Sequence, residues 1–563
     1  ERYADTLFAE HEVRKYPMAI EAYRAVIARD PLNPSNAALK EKIIGVYDTL
    51  QDTERMTAER QDMVKNFGPG SAWYETNKNR PEVLARVDRQ VELALSQAAQ
   101  FHHKRAQELR AQAAATGGQD YGAAALREYR AAAEAYEDYL RRFPDTRYAY
   151  EMAFYLAECL YYSFEFDRAA GYYAKVRDWP GKTQYLEPAA FNAIIGIEKW
   201  AGKLATEGKL PLAEVPGELT AAAEERMPDS EGRVQVPPQP ILDLVGQWLA
   251  SVDAYLAKGL SRANDPGLPA RLAYRAATEY YKRRHLDEAR RRYLAVIAAW
   301  PGDVVASYAA VNIINSYRLE NDWDNISVWA KKIEDMKIGK AEERAALQAE
   351  VKVFQLGAQF KEAEKAFDEE RFLEAAQLFL VVVSKDPKNK VADKALQNAA
   401  LAYQKVHHFD SAAKVYERIA TDPQYRDSPY VEGALLQLAE NARKFYDFDR
   451  AIRSYDALLT RFPQSSQASY AAKTAARLIE VQGRTVEAAK RYEAFADRCP
   501  GDPAAGEAMF KAARLQEELN NRVEALRLSQ RSTRQSGTQA GLAAQVIEAL
   551  SRSADLHRVL GNA

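Results

Sequence analysis

The chain has 563 residues, of which 47% are hydrophobic and 28% are charged, and its 78 Lys and Arg residues nearly balance its 80 Asp and Glu residues. A formal net charge of -2 gives no global attraction to nucleic acid or to an anionic membrane. The longest apolar stretch, residues 293–300, is far shorter than the roughly 20 residues that span a bilayer. We therefore predict neither nucleic-acid binding nor a transmembrane segment.

One chemical pattern recurs eight times along the chain. An aromatic or bulky residue is followed by alanine three positions later, by an aromatic residue four positions after that, and by proline after seven or eight more. The alanines of these copies are Ala19, Ala132, Ala169, Ala289, Ala375, Ala412, Ala451 and Ala488. Weaker copies at Met56, Ile326 and Ala525 keep the same period of 37 residues. A fixed period predicts a repeat architecture of about eleven units.

A second small residue stands twelve positions before most of these alanines, as Ala439 does before Ala451. Small residues at matching positions allow two antiparallel helices to approach closely where they cross. The proline then ends the second helix, because the residue before a proline is driven out of helical geometry. Each unit is therefore predicted to be a helical hairpin. The acidic turn at residues 320–325 lacks the glycine of a calcium loop and is predicted to cap a second helix.

The unit around Ala451 resembles the tetratricopeptide repeat family. The matching positions are Leu438, Ala439, Phe448, Tyr455, Leu458 and Pro463. The resemblance covers most of the chain and implies an all-α fold, a right-handed α-α superhelix of about eleven helical hairpins. It also implies that the first helix of each hairpin lines a concave groove. One or more partner proteins would bind there as an extended peptide or a helix.

Two short segments are also similar to large cell-envelope tetratricopeptide proteins of gliding bacteria. They are residues 67–73 (Phe-Gly-Pro-Gly-Ser-Ala-Trp) and 461–466 (Arg-Phe-Pro-Gln-Ser-Ser). This resemblance implies a scaffold in a cell-envelope or motility assembly, in the periplasm or at the outer membrane; a cytoplasmic location is the alternative. The chain begins at Glu1 without an initiating methionine, which leaves room for a signal peptide or a lipid anchor ahead of it.

A proline-rich stretch interrupts the repeats. Residues 208–240 lose the helical period and contain six of the 23 prolines, as a loop or stiff spacer does. We therefore predict a section at 1–207, a linker at 208–240, and a section at 241–563 that ends in a terminal cap. Within the first section the segment around 70–120 departs from the period. A diverged hairpin is expected there, and one long helix is the alternative.

The family resemblance also implies which residues face the groove. They are Tyr161, Tyr162, Tyr274, Tyr281, Lys282, Tyr308, Asn315, Arg318, Lys394, Gln397, Arg443, Lys444, Lys473 and Arg477. The groove would be aromatic at first and basic afterwards. Rings and cations suit a partner segment that carries carboxylates. The alternative is that these residues are ordinary solvated helix positions or pack against the next unit.

The sequence contains no pattern that predicts catalysis. It lacks the Gly-Lys-Ser/Thr phosphate loop, the Gly-x-Ser-x-Gly elbow and the His-Glu-x-x-His metal motif. The histidine pairs at 102–103 and 407–408 point about 100° apart on a helix and are unsuited to one metal ion. We predict a non-enzymatic scaffold without cofactor or metal. The alternatives are a module that recognises peptidoglycan or another glycan, and the non-catalytic part of a larger enzyme complex.

Overall fold

The computed structural model describes residues 1–9, 15–116, 119–216, 235–536 and 543–561. These residues form twenty-six α-helices and no β-sheet, with only an isolated β-bridge between Arg262 and Asp265. The all-α prediction is therefore confirmed. The helices are α1 (Arg2–Ala9), α2 (Tyr16–Arg29), α3 (Asn36–Thr49), α4 (Thr53–Phe67), α5 (Ala72–Thr76), α6 (Pro81–Thr116), α7 (Gln119–Arg142), α8 (Ala149–Tyr162), α9 (Phe166–Arg177), α10 (Leu186–Thr206), α11 (Asp243–Ala257), α12 (Leu268–Lys282), α13 (Leu286–Ala299), α14 (Val304–Leu319), α15 (Trp323–Asp335), α16 (Ala341–Asp368), α17 (Phe372–Lys385), α18 (Ala392–Lys405), α19 (Phe409–Thr421), α20 (Val431–Lys444), α21 (Phe448–Arg461), α22 (Ala468–Val481), α23 (Thr485–Arg498), α24 (Ala505–Glu518), α25 (Arg522–Ser536) and α26 (Ala543–Val559).

The recurring pattern marks where the second helix of a pair begins. The first residue of the pattern is also the first residue of α9, α13, α17, α19, α21 and α23. These helices end two or three residues before the proline, as α21 does at Arg461 ahead of Pro463, because the residue before a proline disfavours the helical region. The acidic turn also behaves as predicted, since the Asp322 side chain accepts a hydrogen bond from the backbone N–H of Asn325 at 3.1 Å.

The turn inside each pair is a left-handed helix cap. Phe164, Glu370, His407 and Tyr446 have φ between 59° and 63°, and Gly483 takes the same position in a later pair with φ 72°. The cap is closed by a backbone bond typical of a Schellman motif, for example from the N–H of residue 447 to the carbonyl of residue 442 at 2.9 Å. Since the same turn recurs without glycine, the packing of the two helices holds the residue in this conformation.

Alanines fill the crossing points of the paired helices. Ala439 on α20 and Ala451 on α21 are fully buried, and so are Ala476 on α22 and Ala488 on α23. Each of these second helices packs against its first helix and against the next helix along the chain. The continuous core of α16–α25 consists of these alanines and the larger apolar side chains around them.

The chain divides into two compact units. The first unit contains residues 1–320 and 337–345, and the second contains residues 321–336 and 346–563. In the first unit α10 packs against α11, so the proline-rich stretch connects two helices that pair with each other. The sequence did not indicate this pair. The predicted sections 1–207 and 241–563 differ from these compact units and stay a prediction, and residues 217–234 of the linker lie outside the described residues.

The segment around 70–120 is largely one helix. The expectation of a diverged hairpin is wrong, because α6 continues for 36 residues from Pro81. A proline is favourable at the start of a helix, and residues 82–116 contain no further proline or glycine that would end it. Val87 and Val91 are buried on this helix, which packs against α4 and α7. At the other end of the chain α26 packs against α25, in the place of the predicted cap.

Buried tyrosines connect second helices to first helices. Tyr173 and Tyr455 donate hydrogen bonds from their hydroxyls to Glu158 and Glu440, respectively. The Tyr492 hydroxyl donates to Glu480 at 2.6 Å. Burial raises the pKa of all three tyrosines, and the carboxylates raise it further. These tyrosines therefore stay protonated in the folded chain.

We expect leucine at Ala439 or Ala476 to overpack a helix crossing and to lower the free energy of unfolding by about 1–3 kcal/mol. Chemical denaturation measures this loss. Ala494 is exposed on α23, so Ala494→Leu serves as a control that leaves the stability nearly unchanged. An Ala439→Leu chain as stable as the parent would contradict the assigned crossing.

We also expect the melting temperature to fall as the pH rises above about 10. The unfolded tyrosines lose their protons near pH 10, whereas the folded ones hold theirs because their pKa is raised. The resulting stability is therefore complete below that pH and is lost above it. Melting curves between neutral and strongly alkaline pH test this, and Tyr492→Phe is expected to reduce the decline. Tyr446 is 81% exposed, so an equal effect of Tyr446→Phe would contradict the assignment.

Candidate protein-binding faces

The predicted groove residues lie on the first helices of the pairs. We call their side the first-helix face, which is formed by α8, α12 and α14 in the first unit and by α18, α20 and α22 in the second. Each unit presents its own face. The structure shows which of the predicted side chains are brought together, which are occupied by neighbours, and which remain exposed.

The tyrosines at the end of α8 belong to an aromatic cluster. Tyr161 and Tyr162 contact each other edge to face, with ring centroids 5.4 Å apart. Tyr162 stacks on Tyr129 of α7, with ring centroids 5.2 Å apart and planes inclined by 28°. The guanidinium of Arg110 on α6 lies 3.8 Å from the centre of the Tyr162 ring. The structure therefore joins two predicted residues to two that sequence reasoning missed.

Glu158 lies beside this cluster, one turn before Tyr162 on α8. Its carboxylate accepts hydrogen bonds from the Tyr173 hydroxyl and from the Asn192 amide, the latter at 3.2 Å. Burial raises the pKa of Glu158, although these hydrogen bonds and the charge of Arg110 act in the opposite direction. Glu158 is thus held in place by its own neighbours.

His103 lies deeper in the same part of the first unit. It is 7% exposed, and its ring meets those of Tyr129, Tyr136 and Tyr155 at centroid distances of 5.7 to 6.0 Å. Burial lowers the pKa of His103 to about 4, which keeps the imidazole neutral at physiological pH. This histidine is part of the core.

The three predicted tyrosines of α12 and α14 differ in exposure. Tyr274 and Tyr281 pack against the buried Tyr293 at centroid distances of 5.7 and 6.4 Å. The Tyr274 hydroxyl also accepts a hydrogen bond from Asn312 at 3.0 Å. Burial raises the pKa of both Tyr274 and Tyr281. Tyr308, by contrast, is 52% exposed, and its ring meets that of Tyr274 at a centroid distance of 6.1 Å.

The polar residues predicted beside these tyrosines interact mainly within the first unit. Lys282 lies 3.3 Å from the buried carboxylate of Glu279 on its own helix. The positive charge of Arg318 partly offsets the effect of burial on the pKa of Tyr281, which places the two side chains near each other. The amide oxygen of Asn315 is buried and has no hydrogen-bond partner among the described residues.

In the second unit, two of the predicted cations are already paired. Lys394 lies 3.0 Å from Glu364 and 5.2 Å from the centre of the Phe360 ring. Arg443 lies 2.7 Å from Glu440. In both cases the charge of the predicted binding residue is balanced by a carboxylate of the same unit.

Three other cations of the second unit form no ion pair with a carboxylate of the described residues. The charge of Lys473 nevertheless acts on Asp502, whose pKa is lowered against the effect of burial by hydrogen bonds from Ser469 and the backbone N–H of Ala504 and by this charge. Lys473 and Arg477 are exposed, one turn apart on α22. Lys444 is exposed at the end of α20, 6.0 Å from the centre of the Phe409 ring. The remaining predicted residue, Gln397 on α18, has a buried amide oxygen without a partner in the described part of the chain.

Sequence reasoning also missed Tyr470. It is 44% exposed on α22, and its hydroxyl donates a hydrogen bond to Glu440 of α20 at 2.8 Å. This bond joins two successive first helices at the carboxylate with which Arg443 also pairs. Tyr470 stands one turn before Lys473, and that spacing is visible in the sequence.

No group of three or more His, Cys, Asp and Glu side chains within the described ranges is arranged to hold a metal ion. None of the described helices combines the length and apolar character that crossing a membrane requires.

A family model described as tetratricopeptide repeat matches residues 121–182 and 436–503. The first match contains α8, α9 and most of α7, and the second contains α21, α22, α23 and part of α20. Comparison with the sequences of curated proteins gives no match.

Several solved structures are similar to the chain. Yeast Tom70 is 14% identical, with 83% of this chain and 96% of that chain covered and a TM-score of 0.21. Naa15/Naa10 bound to HypK-THB is 15% identical, with coverages of 99% and 72% and a TM-score of 0.24. A tetratricopeptide repeat protein from Parabacteroides merdae is 11% identical, with coverages of 50% and 98% and a TM-score of 0.21.

The two matched segments coincide with helix pairs that have alanine crossings, left-handed turns and terminal prolines. The same features recur in pairs that the family model does not reach, as at α12–α13 and α18–α19. The chain contains tetratricopeptide repeats, which the family model matches at residues 121–182 and 436–503.

Proposed function

We propose that the chain is a non-enzymatic scaffold that holds segments of partner proteins against its first-helix faces. Tetratricopeptide repeat proteins are in general protein–protein interaction scaffolds. The observation that carries the proposal for this chain is the pair of Lys473 and Arg477. Both are exposed on the first-helix face of the second unit, and neither forms an ion pair with a carboxylate of the described residues.

Residues four apart on a helix lie on one side of it, so Lys473 and Arg477 point in the same direction and repel each other. A carboxylate of a partner removes this repulsion and forms charge-assisted hydrogen bonds, which are stronger than neutral ones. Lys394 and Arg443 already form ion pairs with Glu364 and Glu440, so their charges are less available to a carboxylate of a partner. We therefore assign the main electrostatic contact of the second unit to α22.

Aromatic and cationic groups next to this pair extend the contact surface. The ring of Tyr470 provides apolar area at low entropic cost, and Arg443 keeps a side chain that is 39% exposed beside it. An extended peptide or a helix laid across α20 and α22 would meet Tyr470, Lys473, Arg477 and Arg443 in succession. The partner segment proposed for the second unit is therefore acidic with some apolar side chains.

In the first unit we assign partner binding mainly to three exposed or half-buried rings, those of Tyr161, Tyr162 and Tyr308. Tyr274 and Tyr281 pack on the buried Tyr293, and Tyr274 also contacts Tyr308. Recognition of peptidoglycan or another glycan is the alternative for these rings. Protein binding is favoured, because Tyr129 and Arg110 already lie against the ring of Tyr162 and would compete with a stacked sugar.

For the biological setting we propose a bacterial cell-envelope assembly, in the periplasm or at the outer membrane. It is supported by the similarity of residues 67–73 and 461–466 to envelope tetratricopeptide proteins of gliding bacteria. Immunoblots of fractionated cells of the native host test this setting. Recovery of the chain only in the cytoplasmic fraction would contradict it and would leave the scaffold proposal unchanged.

Charge reversal on α22 tests the scaffold proposal. Random peptides displayed on phage are selected on the parent chain, and their affinities are measured by fluorescence anisotropy. We expect the double variant Lys473→Glu, Arg477→Glu to bind the selected acidic peptides about tenfold more weakly or worse, because two charge-assisted contacts become repulsive. The melting temperature should change little, since both side chains are exposed.

The matched control is Arg453→Glu, Lys490→Glu, which reverses two exposed cations on the second helices α21 and α23. It makes the same change in net charge away from the first-helix face and is expected to bind like the parent. Photo-cross-linking of the selected peptides should label first helices. Labels confined to second helices, or the same loss of affinity in both double variants, would contradict the proposed face.

A further inference from the structure

The hydroxyl of Tyr129 in the first unit is buried without a partner. Tyr129 is 1% exposed, and its oxygen forms no hydrogen bond with any residue that the structure describes. A buried hydroxyl without a hydrogen bond is destabilising, and such groups are rare in folded proteins. This unpaired donor is therefore a feature that the packing of the chain alone does not explain.

The repeat itself shows that the hydroxyl is not needed for packing. Tyr129 stands three residues before Ala132, and the equivalent residues of the other seven copies are Tyr16, Phe166, Leu286, Phe372, Phe409, Phe448 and Thr485. Five of these seven are large and carry no hydroxyl. The fold therefore does not need the oxygen of Tyr129 at this position.

Arg110 provides a second donor near the same rings. Its guanidinium lies 3.8 Å from the centre of the Tyr162 ring, and Tyr162 in turn stacks on Tyr129. Arg110 is exposed and forms no ion pair with a carboxylate of the described residues. Burial raises the pKa of Tyr129 to about 12, while the charge of Arg110 opposes this rise. Because the charge of Arg110 lowers the pKa of Tyr129, the guanidinium of Arg110 lies near the Tyr129 hydroxyl.

The neighbouring groups do not satisfy these donors. Glu158, the nearest acidic side chain of α8, is held by Tyr173 and Asn192. Cys159 is fully buried and His103 is kept neutral by burial. Tyr161 adds an aromatic edge beside Tyr162 at 5.4 Å. Burial raises the pKa of Glu158, and the hydrogen bonds from Tyr173 and Asn192 and the charge of Arg110 oppose this rise. The cluster thus presents a cation, a hydroxyl donor and apolar ring surface, with Glu158 as a neighbouring carboxylate that forms no ion pair with Arg110.

We propose that Arg110, Tyr129 and Tyr162 form a binding site for a carboxylate on an extended segment of a partner protein. The site rests on the proposed function, since its ligand belongs to a bound protein. The forked N–H groups of Arg110 donate to the carboxylate oxygens, and the hydroxyl of Tyr129 donates a further hydrogen bond. The half-buried ring of Tyr161 covers the aliphatic part of the acidic side chain.

Two probes separate a carboxylate from an amide of the same shape. They are fluorescein-labelled octapeptides of alternating alanine and glutamate and of alternating alanine and glutamine. Binding is measured by anisotropy on the full chain carrying Lys473→Glu and Arg477→Glu, so that α22 does not contribute. We expect the glutamate peptide to bind about tenfold more tightly than the glutamine peptide.

Two substitutions then assign this preference to the site. Arg110→Gln should abolish it, whereas Arg105→Gln should preserve it, because Arg105 is a nearby exposed cation of α6 that pairs with Glu128 at 3.4 Å. Tyr129→Phe should reduce the affinity for the glutamate peptide about fivefold. Since four other copies have phenylalanine at this position, this variant should melt at the same temperature as its parent or higher, which excludes unfolding as the cause.

Equal affinity for the two octapeptides, or no binding of the glutamate peptide, would overturn the site. So would a Tyr129→Phe chain that binds the glutamate peptide as its parent does. Preferential binding of a neutral chitooligosaccharide at these rings would assign them to a glycan and would also overturn it. In each case the charge-reversal experiment on α22, with the phage-selected peptides, tests the scaffold function independently. The two proposals can therefore fail separately.

Discussion

The close approach of two helices at a pair of alanines is the contact on which the rest of this molecule depends. Ala439 with Ala451 and Ala476 with Ala488 have no exposed surface, so a larger side chain at any of them would separate the helices. Once the helices touch there, the aromatic residues on either side interlock and the turn between the helices is forced into its left-handed conformation. Non-glycine residues such as Glu370 and His407 accept that conformation, because the helix contact holds them in it.

This packing also decides where binding groups are placed. Second helices are buried between first helices, and their tyrosines reach outward to carboxylates on the first helices. Glu158 therefore accepts a hydrogen bond from the buried Tyr173, and Glu440 accepts one from the buried Tyr455. The first-helix face is consequently an ordered surface whose polar groups have limited freedom. Order of this kind lowers the entropic cost of binding an extended segment.

Local ion pairing divides the predicted cations into two groups. Arg443 could be recognised as paired from its spacing to Glu440 on the same helix. The pairing of Lys394 with Glu364 could not, because the two residues lie on different first helices of neighbouring pairs. Lys473 and Arg477 differ from these two in forming no ion pair with a carboxylate of the described residues. Availability for a partner thus depends on the surroundings of each cation more than on its position in the repeat.

The sequence by itself determined the all-α class, the period, the first residues of second helices such as α9 and α21, and the alanine crossings. These features follow from local geometry: the spacing of apolar residues along a helix, the space at a crossing, and the effect of proline on the residue before it. The tertiary structure alone decided that α6 is one helix, that α10 pairs with α11, and that Arg110, Tyr129 and Tyr162 meet. Those outcomes depend on contacts between residues far apart in the chain, and a repeat period carries no information about contacts at the places where the period is lost.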